Sequence, residues 1–219
     1  MWFDHLRWLG AGRSTHKLEV YFTARVPSRS HGMVAGCKGY DMTSRILNIR
    51  ERGYPGSASE LFVVAMSEAA KMYPGEPLLW MEADAIPIRS DWMDVIAEEY
   101  AGCDRPFMGH LEADHAIPHL AGVAVYPSNW PELSPMLASS HLAPDSPYFG
   151  RGKGQAFDAY AAPEVFGQAR QAASIQQVFG MRHWRVSDVG KIRPGAAVVH
   201  QSKDGSLIRL IQSGHINRP

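Results

Sequence analysis

The run Leu78-Leu79-Trp80-Met81 sets four large apolar residues side by side with no polar alternation, and Glu82 and Asp84 follow at once. Such a run marks a strand buried on both faces, and strands of that kind belong mostly to parallel sheets covered by helices. In open α/β sheets the binding crevice lies outside the carboxyl ends of the strands. The two acids are therefore expected at the end of a central strand, where a rigid element holds them toward a ligand. Being two apart, they share one side if the extended conformation continues. Pro87 argues against further central pairing, and Ser90 is a fair N-cap for an amphipathic helix from about Asp91 to Tyr100.

Helical and extended patterns alternate along the rest of the chain. Met1 to Leu9 reads as one or two turns of amphipathic helix closed by Gly10 and Gly12, and LEVYFTARV, from about Leu18 to Val26, as a strand. Pro27 to Gly56 is rich in Gly, Ser, Arg and Lys and gives no clear pattern. Ser57 or Ser59 can cap a long helix through Met72. After the acidic strand and its helix come strands in PFMGHL and AGVAVYP. A helix is then expected from FDAYAAPEVF through about Phe179, with strands at Trp184 to Val186 and at AAVVH before QSKDGSLIRLI. This order predicts an α/β fold of three layers, helix, mostly parallel sheet and helix, in a single domain over residues 1–219.

Composition narrows the function classes. The 22 basic and 22 acidic residues cancel, so no global field draws the chain to nucleic acid or to a membrane. The two cysteines, Cys37 and Cys103, make neither a disulfide framework nor a CxxC zinc pattern, which fits a reducing compartment. No segment is apolar enough to span a bilayer, and MWFDHLRWLG lacks the pattern of a signal peptide. The expectation is a soluble, cytoplasmic protein.

Two acids at a strand end suit Mg²⁺ or Mn²⁺, because hard carboxylate oxygens bind such ions and leave positions open for substrate phosphates. A second element points the same way. His200 closes the apolar strand Ala196 to Val199 and Lys203 follows three residues on, so an imidazole and an ammonium emerge at another strand end. Adjoining strand ends would combine carboxylate, imidazole and ammonium around a metal-bound diphosphate.

These motifs, in this order, resemble the GT-A type glycosyltransferases, and most closely the small GT-A-like proteins of bacteriophage and metagenomic sequences. The likeness rests on GYP at Gly53 to Pro55, PLLWMEADAIPIRSDWMD at Pro77 to Asp94, PFMG at Pro106 to Gly109, GVAVYP at Gly122 to Pro127 and HQSKDGSL at His200 to Leu207. Glu82-Ala83-Asp84 stands in the place of the family's DxD motif. The resemblance implies a GT-A-like, Rossmann-like fold, here without the family's first strand, since Met1 to Leu9 corresponds to its first helix and LEVYFTARV to its second strand.

What the resemblance further implies is a hexosyltransferase-type enzyme. It would transfer a sugar from a nucleoside-diphosphate sugar to a hydroxyl acceptor, on a glycan or a modified DNA base, with Mn²⁺ or Mg²⁺. Asp84 would be the principal metal ligand, Glu82 would face the ribose or the metal's water shell, His200 would complete the ligands, and Lys203 would contact the diphosphate. Asp158 occupies the position of the general base, with Glu164 as the alternative acid. Gly122 would let backbone approach the donor, and His115 and His119 would line the sugar pocket. Each residue has a plainer reading too. Glu82 can cap a turn, His200 can be a satisfied core histidine, and Asp158 can cap a helix. The alternative for the whole chain is a non-catalytic nucleotide- or sugar-binding protein of the same fold.

Overall fold

The computed structural model describes residues 1–10, 14–26, 29–37, 39–50, 53–144 and 155–216. The chain opens with α1 (Trp2–Leu9), β1 (Lys17–Thr23), α2 (Arg29–Ala35), β2 (Asp41–Leu47) and α3 (Gly56–Met72). The middle runs β3 (Leu78–Trp80), β4 (Ile86–Pro87), α4 (Trp92–Ala101), β5 (Phe107–Glu112) and β6 (His119–Tyr126), followed by the short helices α5 (Trp130–Leu133) and α6 (Pro135–Ser139). The last part holds α7 (Phe157–Tyr160), α8 (Ala162–Val165), β7 (Ala169–Gln171), β8 (Ile175–Gln177), β9 (Val198–His200) and α9 (Ser206–Gln212).

The expected α/β class is met, in sheets that mix parallel and antiparallel pairs. β1 and β2 form a parallel pair, the order β3-β6-β5-β7 makes a second sheet, and β4-β9-β8 a third. All of β6 is buried, because its successive side chains face different helices. Val123 and Val125 pack with Leu6 of α1 and with Trp92, Met93 and Ile96 of α4. Leu120, Ala124 and Tyr126 pack with Phe62, Val63 and Met66 of α3. Phe62 stacks on Phe157 with ring centroids 4.0 Å apart, and its full burial makes it the anchor of that side. Gly109 on β5 is required by close strand approach, since a Cβ there would lie 2.7 Å from Ala124 Cβ.

Several expectations change. The acidic strand β3 is not central: it is an edge strand with β6 as its partner, and the pairing is antiparallel. Leu79 and Trp80 are accordingly only half-buried. The chain then leaves that sheet through the turn at Ala83 and Asp84 and pairs through β4 with β9 of the next sheet. Pro87 sits there on an edge strand, as its missing N–H demands.

The serine caps are replaced. α3 follows Pro55, and Ser59 Oγ donates to the carbonyls of Pro55 and Gln155 instead. α4 follows Asp91, whose carboxylate is taken by Arg89 at 2.5 and 2.8 Å. The long helix expected through Phe179 is broken into α7, α8, β7 and β8. Pro163 starts α8 afresh, and the Glu99 carboxylate takes the N–H groups of Ala173 and Ser174 at 2.7 and 2.9 Å, which turns the chain away from helix. Trp184 to Val186 is no strand; the Trp184 N–H donates to Ser206 Oγ at 2.6 Å, and a 3₁₀ turn spans Val186–Lys191. Among the described residues no helix is long and apolar enough to cross a membrane.

Candidate metal and phosphate site

The acids meet His200 because of how β4 joins β9. Ile86 pairs with Val199, so the residues just before β4 lie against those just after Val199. Two backbone bonds hold the turn: the Ala85 N–H donates to the Glu82 carbonyl at 2.9 Å, and the Ser202 N–H donates to the Asp84 carbonyl at 3.1 Å. Gln201 supports this exit from β9 with a φ of 77°, a left-handed value uncommon for a residue with a side chain. On the outer side of edge strand β4, α1 supplies the missing donors. Trp2 Nε1 donates to the Ala85 carbonyl at 3.0 Å, and His5 Nε2 lies 2.7 Å from the Pro87 carbonyl. A covered edge cannot pair with another chain.

Glu82, Asp84 and His200 each offer one ligand atom, and these atoms lie within 4.8 Å of one another. His200 Nε2 is 3.4 Å from Glu82 Oε2 and 3.3 Å from Asp84 Oδ1. Lys203 Nζ, on an exposed side chain, is 3.4 Å from Asp84 Oδ2. That Asp84 oxygen is buried and has no hydrogen-bond partner. Burial disfavours a charged imidazole, yet the bonds to Asp84 and Glu82 overcome it and raise the His200 pKa to about 9. Burial also works against the Asp84 carboxylate, and His200 and Lys203 still hold its pKa below the ordinary value.

Asp158 adjoins this cluster across Gly122. A Cβ on Gly122 would lie 3.0 Å from the Phe157 ring, 3.1 Å from Glu82 Oε1 and 3.6 Å from Asp158 Oδ2, so glycine is what lets these groups converge on β6. Asp158 lies within the first turn of α7 rather than at its cap, with Oδ1 accepting the Ala159 N–H at 2.8 Å. Its Oδ2 is 4.0 Å from His119 Nε2. Burial raises the Asp158 pKa, and the Glu82 charge adds to this against the opposing effect of His119. His119 is a buried strand residue, and its Nδ1 lies 2.7 Å from the Ile117 carbonyl. His115 stands edge-on to it, ring centroids 5.0 Å apart.

The residues singled out from the sequence thus converge, with one exception. Glu164 is committed elsewhere: its Oε2 accepts from Ser134 Oγ at 2.7 Å and from the Met136 N–H at 2.8 Å, at the start of α6. Two residues went unnoticed. The register pairs Gln177 with His200, and Gln177 Oε1 lies 2.8 Å from His200 Nδ1 while Gln177 Nε2 donates to Glu112 Oε1 at 2.8 Å. The short strand Ile175-Gln176-Gln177 carries no motif; the only sequence signal is a pair of glutamines beside an apolar residue.

The donor set of two carboxylates and an imidazole suits Mn²⁺, for which oxygen and imidazole ligands are both acceptable, and the buried Asp84 Oδ2, in ion-pair contact with the exposed Lys203 side chain, is the kind of atom such an ion satisfies. No protein-family model matches this chain, nor does any curated protein or any solved structure.

Proposed function

We propose that this protein is a metal-dependent glycosyltransferase of the GT-A type, transferring a hexose-like sugar from a nucleoside-diphosphate donor to a hydroxyl acceptor such as a glycan or a modified DNA base. The observation that carries the reading is the convergence of Glu82, Asp84 and His200 within 4.8 Å, with Lys203 beside Asp84. The burial of β6 between helices and its closeness to Asp158 are in keeping with a GT-A-like layering, and the free thiols Cys37 and Cys103 are in keeping with a reducing, cytoplasmic setting.

Asp84, His200 and Glu82 would hold the ion, which when bound supplies Lewis-acid stabilisation of the charge developing on the departing nucleoside diphosphate. Lys203 reaches outward from the same corner and adds a flexible positive charge for the diphosphate. Gly122, buried on β6, lets Glu82 and Asp158 approach one another rather than opening the strand to the donor. Asp158, whose burial raises its proton affinity, takes the proton of the acceptor hydroxyl, a task that favours a base tuned upward toward working pH. His119, fixed by the Ile117 carbonyl, presents Nε2 to Asp158 and moderates that tuning.

One feature favours the non-catalytic reading: the two acids are already matched by His200 and Lys203 without an ion, so the pocket can hold a sugar nucleotide without turnover. One experiment separates the two. Nucleoside diphosphates and their sugars are screened by thermal shift with and without Mn²⁺, since a bound donor stabilises by mass action, and donor hydrolysis is followed in parallel. The transferase reading expects Mn²⁺-dependent stabilisation and slow hydrolysis, both lost in Asp84→Asn. Stabilisation indifferent to Mn²⁺ and without hydrolysis supports the binder, and no stabilisation by any donor refutes both.

A further inference from the structure

The geometry points to Gln177 and Glu112 as positioning residues that fix which nitrogen of His200 faces Glu82 and Asp84. The strand ends of β5, β8 and β9 bring the three side chains into a line. Glu112 Oε1 is 2.8 Å from Gln177 Nε2, and Gln177 Oε1 is 2.8 Å from His200 Nδ1. Gln177 and His200 are both buried.

The direction of each bond follows from the chemistry of its end. A carboxylate only accepts, so Glu112 compels Gln177 to turn its NH₂ toward it. The Gln177 oxygen is then what His200 meets, and an oxygen only accepts. In the neutral ring, the form that binds a metal, the proton must therefore sit on His200 Nδ1, which leaves the Nε2 lone pair as the one facing Glu82 and Asp84.

A looser set of contacts flanks Glu112. The Leu111 N–H donates to Gln171 Oε1 at 2.8 Å, which fixes the Gln171 amide. Its Nε2 lies 3.4 Å from His110 Nδ1, and His110 Nε2 lies 3.6 Å from Glu112 Oε1. Metal-bound histidines are commonly oriented through the other ring nitrogen in this way, at about 10- to 100-fold in metal affinity.

The assignment rests on the metal-site reading of Glu82, Asp84 and His200, and the test separates the two. Mn²⁺ affinity is measured by electron paramagnetic resonance for the wild type, Gln177→Met, Glu112→Gln and the double variant Glu112→Gln/Gln177→Glu. The double variant exchanges donor and acceptor between positions 112 and 177, which reverses that bond and still presents an accepting oxygen to His200 Nδ1. Gln177→Met should bind about 10- to 100-fold more weakly, Glu112→Gln should fall between it and wild type, and the double variant should recover to within about threefold of wild type, by the same directional argument. Wild-type affinity in Gln177→Met, or no recovery in the double variant, overturns the assignment.

If the wild type binds no Mn²⁺, the metal reading fails, and the positioning role is read without metal from the ¹⁵N shifts of the His200 ring above about pH 10, where a neutral imidazole shows its tautomer. An Nδ1–H ring in wild type that becomes mixed in Gln177→Met upholds the role. An unchanged ring overturns it.

Discussion

Raising pH should weaken the metal-free protein through His200 alone by a measurable amount. The folded state holds this buried imidazole between Glu82 and Asp84 and raises its pKa from the ordinary 6.5 to about 9. The protonated form is thus favoured by folding. Its contribution is complete below pH 6.5, declines as pH climbs, and is gone once pH passes about 9. Each tenfold in proton affinity corresponds to about 1.4 kcal/mol, so the loss amounts to about 3 kcal/mol, a large share of a typical folding free energy. The assay is urea unfolding followed by tryptophan fluorescence, in chelator, from about pH 6 to pH 10. Cysteines and tyrosines also titrate in that range, so the quantity read is the difference between the wild type and His200→Asn. Wild-type stability should fall by about 3 kcal/mol more than the variant's across the window. Saturating Mn²⁺ should remove that excess fall. Parallel curves for the two proteins in chelator would refute the reasoning, because they would mean that the carboxylates do not hold a proton on His200.

Three other outcomes follow from the packing and from the roles assigned. Lys203→Ala should weaken donor affinity along with rate, whereas Asp158→Asn should keep donor affinity and lose about a hundredfold or more in turnover; dissociation constants and single-turnover rates distinguish them. Gly109→Ala, whose Cβ would meet Ala124 Cβ at 2.7 Å, should cost about 1 to 3 kcal/mol in urea unfolding without altering Mn²⁺ affinity, while Gly122→Ala should displace Glu82 and weaken Mn²⁺ as well. Glu164→Gln should cost about 1 kcal/mol through the start of α6 and leave donor hydrolysis unchanged, which thermal unfolding and a turnover assay check together.

The site was more legible in the sequence than the fold around it. Glu82 and Asp84 stand out because an apolar run ends abruptly in acid, and His200 because another apolar run ends in imidazole. Such endings survive whatever the pairing direction. The direction itself is invisible: Leu78 to Trp80 is equally apolar whether its partner is parallel or, as found, antiparallel. The Ala- and Gln-rich stretch after Tyr160 favours helix by intrinsic propensity, and only contacts made at a distance override it, such as the Glu99 carboxylate on Ala173 and Ser174 and the Ala172 N–H on the Gly109 carbonyl at 2.7 Å. Gln177 and Glu112 stay hidden for the same reason. Their meaning lies in which strand ends adjoin, and neither residue breaks a local pattern.

β9 sits in the middle of its sheet, yet both of its neighbours, β4 and β8, precede it in the chain. A ribosome therefore releases the two outer strands first and the central one last. Until Val198 to His200 emerge, Ile86 and Pro87 have no strand to pair with, the Asp84 carbonyl lacks the Ser202 N–H, and Glu82 and Asp84 repel one another without His200 or Lys203 to balance them. Closing that gap is a long-range step, slow compared with forming helices. The ability to hold an ion would then appear abruptly, when the final strand slides into place, and a nascent chain halted before it would leave the apolar Ile86 and Ile88 without the Val199 and Leu207 they pack against, a surface for chaperones to shelter.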